Sequence, residues 1–128
     1  MRRYLIHHRT LIASFKHAFE GIVHTFKYNQ NFRIQIAGAI LVILASIFFH
    51  VNAFEMGILG VMILLVICAE MINTALEEMV DLITTTHQKE AKIAKDVAAG
   101  MVLITFMGSI IVGSLIFIPY IAKFFNGH

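Results

Sequence analysis

Between residues 4 and 28, apolar and polar positions alternate with the period of a helix. Leu11, Ile12, Phe15, Ala18, Phe19, Ile22, Val23 and Phe26 recur every three or four positions, with Lys16, His17, Glu20, His24 and Lys27 in the gaps. The pattern predicts an amphipathic helix over about residues 4–28. Such a helix suits a membrane interface, its bases near the phosphates and its aromatics in the acyl region, although a helix packed on another protein surface reads the same way. The pattern then changes. Ile34 to Phe49 carries no charge, and Phe32 and Val51 lengthen it to about a bilayer's width, predicting a first span over about 32–51. The short loop His50-Val-Asn-Ala-Phe-Glu55 turns the chain back. A second helix is predicted over about 54–83. At about 1.5 Å per residue it is ~45 Å long against a hydrocarbon core of about 30 Å, so its last turns should leave the membrane. Thr84 to Glu90 is a polar connector. A third helix is predicted over about 90–125, charge-free from Val97 to Ala122, with Pro119 near its far end, where a kink costs little.

Composition agrees with this reading. The 128 residues are 59% hydrophobic, with a mean hydropathy of +0.80, too apolar for a soluble domain. The expected fold is all-α: one polytopic membrane domain over residues 1–128, with three transmembrane helices and an N-terminal surface helix. A formal charge of +2 gives no reason to expect nucleic acid as a partner. The first thirty residues hold no uninterrupted apolar core followed by a small-residue cleavage site, so no cleavable signal peptide is expected. The single cysteine, Cys68, cannot form an intrachain disulfide and is expected to pack. Ala98, Ala99, Gly100, Gly108, Ser109, Gly113 and Ser114 are expected where helices touch. Lysine and arginine give the orientation. Arg2, Arg3, Arg9, Lys16, Lys27 and Arg33 precede the first span, Lys89, Lys92 and Lys95 lie between the second and third, and only Lys123 lies on the other side. The N-terminus and the connector are then expected in the cytoplasm, in a bacterial cell membrane crossed three times.

The candidate chemistry lies in Glu70-Met-Ile-Asn-Thr-Ala-Leu-Glu-Glu-Met-Val-Asp81. At about 100° per residue, Asn73 lies about −60° from Glu70, Glu77 about −20° and Asp81 about +20°, while Glu78 falls about 80° away. Glu70, Asn73, Glu77 and Asp81 thus form one polar line. An ionisable group in hydrocarbon costs at least about 2.5–3.5 kcal/mol and marks a functional path. A solvated helix face would also carry acids, but Met71, Ile72, Ala75, Leu76, Met79 and Val80 keep the other faces apolar. Glu77 and Asp81 are hard oxygen ligands suited to Mg²⁺, which completes its shell with water and phosphate oxygens. Lys95, near the start of the third helix, is placed to meet a phosphate. Glu70, two turns deeper, is placed to accept a proton from a lipid headgroup hydroxyl. There is no glycine-rich phosphate loop, and no His/Cys cluster suggests zinc. His7, His8, His17 and His24 are expected on the polar face of the surface helix, with His17 a candidate nucleotide contact; His50 and His128 are expected in solvent.

The run from Glu70 to Asp81, then His87, then Ala94-Lys95-Asp96-Val-Ala-Ala-Gly100 resembles the signature of the small integral-membrane prokaryotic diacylglycerol kinase and undecaprenol kinase family, over nearly the whole chain. The resemblance implies an ATP- and Mg²⁺-dependent kinase acting on a membrane lipid alcohol, working as a homotrimer with the surface helix roofing the site. It implies Glu70 as catalytic base at the lipid substrate, Glu77 as metal and ATP ligand, and Asn73, Lys95 and Asp96 organising the site and holding nucleotide. His87 is implied as a nucleotide contact, Asp81 as support and Ala99 as a residue on the lipid side. One position departs. Family members carry a second metal-binding glutamate where this chain has Asn29; an amide oxygen can coordinate Mg²⁺ but brings no negative charge. The Asn-Thr-Ala core and the Ala-Lys-Asp-Val-Ala-Ala-Gly ending are closer to the undecaprenol kinases than to the diacylglycerol kinases. Two other readings stand beside the kinase: a small ion-coupled transporter using the acidic line, and a non-catalytic protein that binds nucleotide or lipid.

Overall fold

The computed structural model describes residues 10–127, and among these the regular structure is entirely helical: α1 (Leu11–Tyr28), α2 (Gln30–Phe48), α3 (Ala53–Ile83) and α4 (Lys89–Phe125). Residues 4–9 of the expected surface helix, with His7 and His8, lie outside the described residues, as does His128. Thr10 starts α1, its hydroxyl accepting from the Ala13 N–H at 3.2 Å. A single residue, Asn29, separates α1 from α2 and serves both. Its backbone N–H donates to the Thr25 carbonyl, closing α1, and its side chain accepts from the Phe32 N–H, opening α2. Arg33 reaches back so that its Nη1 donates to the carbonyls of Phe26 and Lys27 at 2.8 and 2.7 Å, satisfying the last turn of α1.

These caps explain where the helices depart from the apolar pattern. The first span begins at Gln30 rather than near 32 because Asn29 is a strong N-cap and the polar Gln30 and Asn31 fit a helix's first turn. It ends at Phe48 rather than near 51. Here His50 adopts a left-handed conformation (φ 54°), its N–H donates to the Ile47 carbonyl, and the Val51 N–H donates to the Ser46 carbonyl. This is a Schellman turn, and Val51 is its buried apolar residue. Asn52 then caps α3 through the Glu55 N–H at 2.8 Å. At 31 residues α3 outruns the hydrocarbon, as its length predicted. α4 runs 37 residues and passes through Pro119 without stopping.

α3 and α4 share the most extensive contact, α2 packs on α3, and α1 touches α2 and α3. Gly108 on α4 lies against α3: a Cβ added there would be 3.7 Å from the Met62 methyl. At the turn end, the Tyr120 hydroxyl donates to Glu55 Oε1 at 2.9 Å and accepts from the Asn52 N–H at 3.3 Å, above a small core of Val51, Leu59 and Ile116. Most large apolar side chains instead face outward; Leu41, Leu64, Ile104 and Leu115 are each more than 60% exposed. Three helices are long and apolar enough to cross a bilayer. In lipid nothing drives such side chains inward, so bare faces are the expected state of a membrane protein. Cys68 also faces outward rather than packing between the helices. Of the small residues expected at helix contacts, Ala98 is buried, while Ala99 and Ser114 are exposed.

Candidate active site

Burial falls steadily along the polar line of α3. Glu70 is 1% exposed and Asn73 9%, whereas Glu77 and Asp81 are exposed. The gradient follows from the overhang of the helix: each step toward Ile83 carries the line out past the end of the α2 contact. Each member has a different partner. Glu70 Oε2 accepts from Asn29 Nδ2 at 3.3 Å. Asn73 Nδ2 donates to Glu77 Oε1 at 3.3 Å. Asp81 Oδ1 accepts from Lys95 Nζ at 2.7 Å, across to α4. Asp96 pairs with Lys92 at 2.6 Å on its own helix.

The connector end of α3 and α4 encloses a polar cleft of about 370 Å³. Asp81, His87, Lys92, Lys95 and Asp96 line it; Glu70, Glu77 and His17 do not. A larger cavity, about 400 Å³, lies between α2, α3 and α4, but its lining is apolar apart from Gln35, Ser109 and Ser114 and it holds none of the charged groups. The charged groups therefore gather at the smaller cleft and on the α3 face beside it. His17 sits on the exposed side of α1, where its Nδ1 meets Glu20 Oε2 at 3.3 Å. Ala99 is exposed one turn beyond Asp96. Asn29 meets Glu70, not Glu77.

Three further residues join the site that the pattern along the chain did not single out. Thr74 accepts from Asn29 Nδ2 at 2.7 Å and donates to the Glu70 carbonyl at 3.0 Å. Lys92 holds Asp96; its i,i+4 spacing was the available signal. His24 on α1 lies 3.8 Å from Glu78, the acid that falls off the line, and so gives that acid a partner on the surface helix.

The donor set can be tested against a divalent cation. Among the described residues no group of three or more histidine, cysteine or acidic side chains converges, so the protein offers no closed cage. It does offer an unsatisfied oxygen. Asn73 Oδ1 is buried with no hydrogen-bond partner, one turn from the Glu77 carboxylate. A buried acceptor without a donor is costly unless something satisfies it. As it stands, the Asn73 edge facing Glu77 carries hydrogens; with the amide turned over, one carboxylate and one amide oxygen, both hard ligands, would face one point and fit Mg²⁺, which keeps several waters and substrate phosphate oxygens.

The sequence profile describing prokaryotic diacylglycerol kinase matches residues 16–117, from the surface helix to the last turns of α4. The chain belongs to the prokaryotic diacylglycerol kinase family. Two relatives place it further. It is 38% identical over 110 residues to a protein named diacylglycerol kinase from Synechocystis, a match covering 85% of this chain but 63% of that protein, under two thirds of its length. It is 40% identical over 106 residues to a protein named undecaprenol kinase from Bacillus subtilis, covering 83% of this chain and 86% of that one.

Proposed function

We propose that this member of the prokaryotic diacylglycerol kinase family is an ATP- and Mg²⁺-dependent lipid kinase whose acceptor is undecaprenol. The observation that carries the reading is Glu70: a carboxylate 1% exposed, the one buried charged group among the described residues, on the same helix face as Glu77 and one helix away from Lys95. The fuller overlap with the relative named undecaprenol kinase favours that acceptor over diacylglycerol.

Phosphoryl transfer asks a protein chiefly for positioning and charge neutralisation. Here Lys95, with Asp96 and His87 in the same cleft, holds the nucleotide. Lys95 must exchange Asp81 for a phosphate oxygen, and Asp81 keeps the lysine aimed until it does. Glu77, with Asn73 once its amide is turned over, would hold Mg²⁺, and the ion would neutralise phosphate charge there. Glu70 takes the proton from the lipid hydroxyl as that oxygen bonds the γ-phosphorus and the bridging oxygen leaves with ADP. The exposed apolar edges of α1, with Phe15, Phe19 and Phe26, keep that helix at the membrane surface, and Ala99 leaves room for lipid. The asymmetry of lysine and arginine supports a cleft on the cytoplasmic side of a bacterial cell membrane, and the resemblance supports a homotrimer.

The decisive assay transfers labelled γ-phosphate from ATP to a panel of lipid alcohols in detergent micelles. Undecaprenol is expected to be labelled faster than diacylglycerol at equal mole fraction, with no label in the absence of divalent metal. The opposite preference would make the protein a diacylglycerol kinase. No transfer to any alcohol would defeat the kinase reading.

A further inference from the structure

Asn29 stands where the resemblance implies a metal ligand, yet its side chain is fully engaged elsewhere. Oδ1 accepts from the Phe32 N–H at 3.0 Å and so caps α2. Nδ2 donates to Thr74 Oγ1 at 2.7 Å and to Glu70 Oε2 at 3.3 Å. The oxygen thus faces the N-terminus of α2, the positive end of the helix dipole, where an anion is favoured and a cation is not. The edge that faces Glu70 carries hydrogens, and hydrogens do not ligate a metal. The position does not fit a second metal ligand, whereas it fits a neutral amide well. Every polar group of the side chain has a partner, and one partner is the most buried carboxylate in the protein.

We propose that Asn29 is a positioning residue for Glu70, holding the carboxylate of the base in place from the junction of α1 and α2. The inference rests on the reading of Glu70 as the base. Asn29 occupies Oε2, so Oε1 is the oxygen left for the acceptor hydroxyl. Thr74 completes the device. It takes the second amide hydrogen and passes its own to the Glu70 carbonyl, fixing the amide plane between two points on α3. Because the backbone N–H of the same residue ends α1 at the Thr25 carbonyl, the surface helix and the base are tied to one residue.

The test uses the full-length protein in micelles containing undecaprenol. Asn29→Ser keeps an oxygen that caps α2 but is too short to reach α3. Its kcat is expected to fall about 10-fold or more, since small misplacements of a reacting group are costly. KM for ATP and the Mg²⁺ concentration for half-maximal rate are expected to hold. Binding of Mn²⁺ in the presence of ADP, followed by electron paramagnetic resonance, should also be unchanged. Asn29→Asp keeps both cap and length but has no hydrogen to donate, and the same loss is expected; it serves if the serine variant fails to fold. In a Glu70→Gln background, adding Asn29→Ser should change the residual rate less than about twofold, because residues that act as one unit are not additive. Weaker Mn²⁺ binding in Asn29→Ser would assign the residue to the metal and overturn the proposal. So would wild-type kcat in both short and acidic variants, or a full additive loss in the Glu70→Gln background. Failure of the underlying reading looks different: Glu70→Gln alone would then keep full activity, whatever Asn29 does.

Discussion

Glu70 and Glu77 lie on one helix face, one buried and one exposed, and that difference separates their failures. Glu77→Gln removes the exposed carboxylate from the group that includes the free Asn73 oxygen. Its defect should be partly relieved by raising Mg²⁺ and ATP together. Glu70→Gln keeps shape and a hydrogen bond but accepts a proton poorly. Loss of general-base help costs roughly 10²–10⁴-fold, and a loss confined to the transition state lowers kcat without raising KM. Steady-state kinetics over a Mg²⁺ and ATP grid checks both, and rescue of Glu70→Gln by Mg²⁺ would reverse the roles. At this scale the sequence was legible where partners share a helix. The line from Glu70 to Asp81 follows from helical spacing alone, and the gradient of burial follows from the length of α3. The bond from Asn29 to Glu70 spans 41 positions and two helices, and no local spacing encodes it. The cap role of Asn29 could have been read, since an asparagine sits just before a long apolar run. Capping ties up its oxygen, and that alone argues against metal ligation.

Elements are bounded by caps more than by hydropathy. The three spans appear where the apolar pattern puts them; the surface helix, expected from residue 4, begins only after its cap at Thr10, and the other departures fall at Asn29, His50, Asn52 and Gln88. The turn end supplies two predictions. Tyr120→Phe deletes the one hydroxyl that joins α4 to Glu55 and to the Asn52 N–H. It should lower stability by about 1–3 kcal/mol, because it leaves both with a lost partner. Unfolding in mixed micelles should show this while kinase activity under native conditions stays unchanged. His50→Gly acts in the other direction. His50 pays for a left-handed backbone that glycine adopts freely, so the variant should gain about 0.5–1 kcal/mol by the same measurement. A loss would mean that the imidazole makes a contact outweighing the backbone strain.

The whole molecule shows 10086 Å² of accessible surface. A compact soluble chain of 14.4 kDa would show about 6,800 Å². The exposed apolar side chains of the spans, Leu41, Leu64, Ile104 and Leu115 among them, must meet lipid or other copies. Mass measurement in detergent, corrected for bound detergent, is expected to give three chains, and an active monodisperse monomer would refute the trimer. Topology can be read with one cysteine. Ala53→Cys in a Cys68→Ala background places a thiol at an exposed site in the turn without disturbing the Asn52 cap. An impermeant reagent added to intact cells should label it, and labelling only after lysis would invert the orientation. The sequence spoke clearly about the membrane and said little about which faces pair. Outward-facing Cys68 and Ala99 show why: in hydrocarbon, small and apolar residues are equally at home against a helix or a lipid tail.

The Tyr120–Glu55 bond also bears on how the chain is made. Its partners are 65 residues apart, so at about 5–20 residues per second some 3–13 seconds of synthesis separate them. Until Tyr120 is made, Glu55 can hold only its neighbour Asn52 at this end. A nascent chain arrested before residue 120 would carry every acid of the polar line while its turn end stood unlatched. The two ends of α3 thus mature at different times: the end that bears the chemistry closes when Lys95 emerges, and the opposite end waits for nearly the last residue of the last helix.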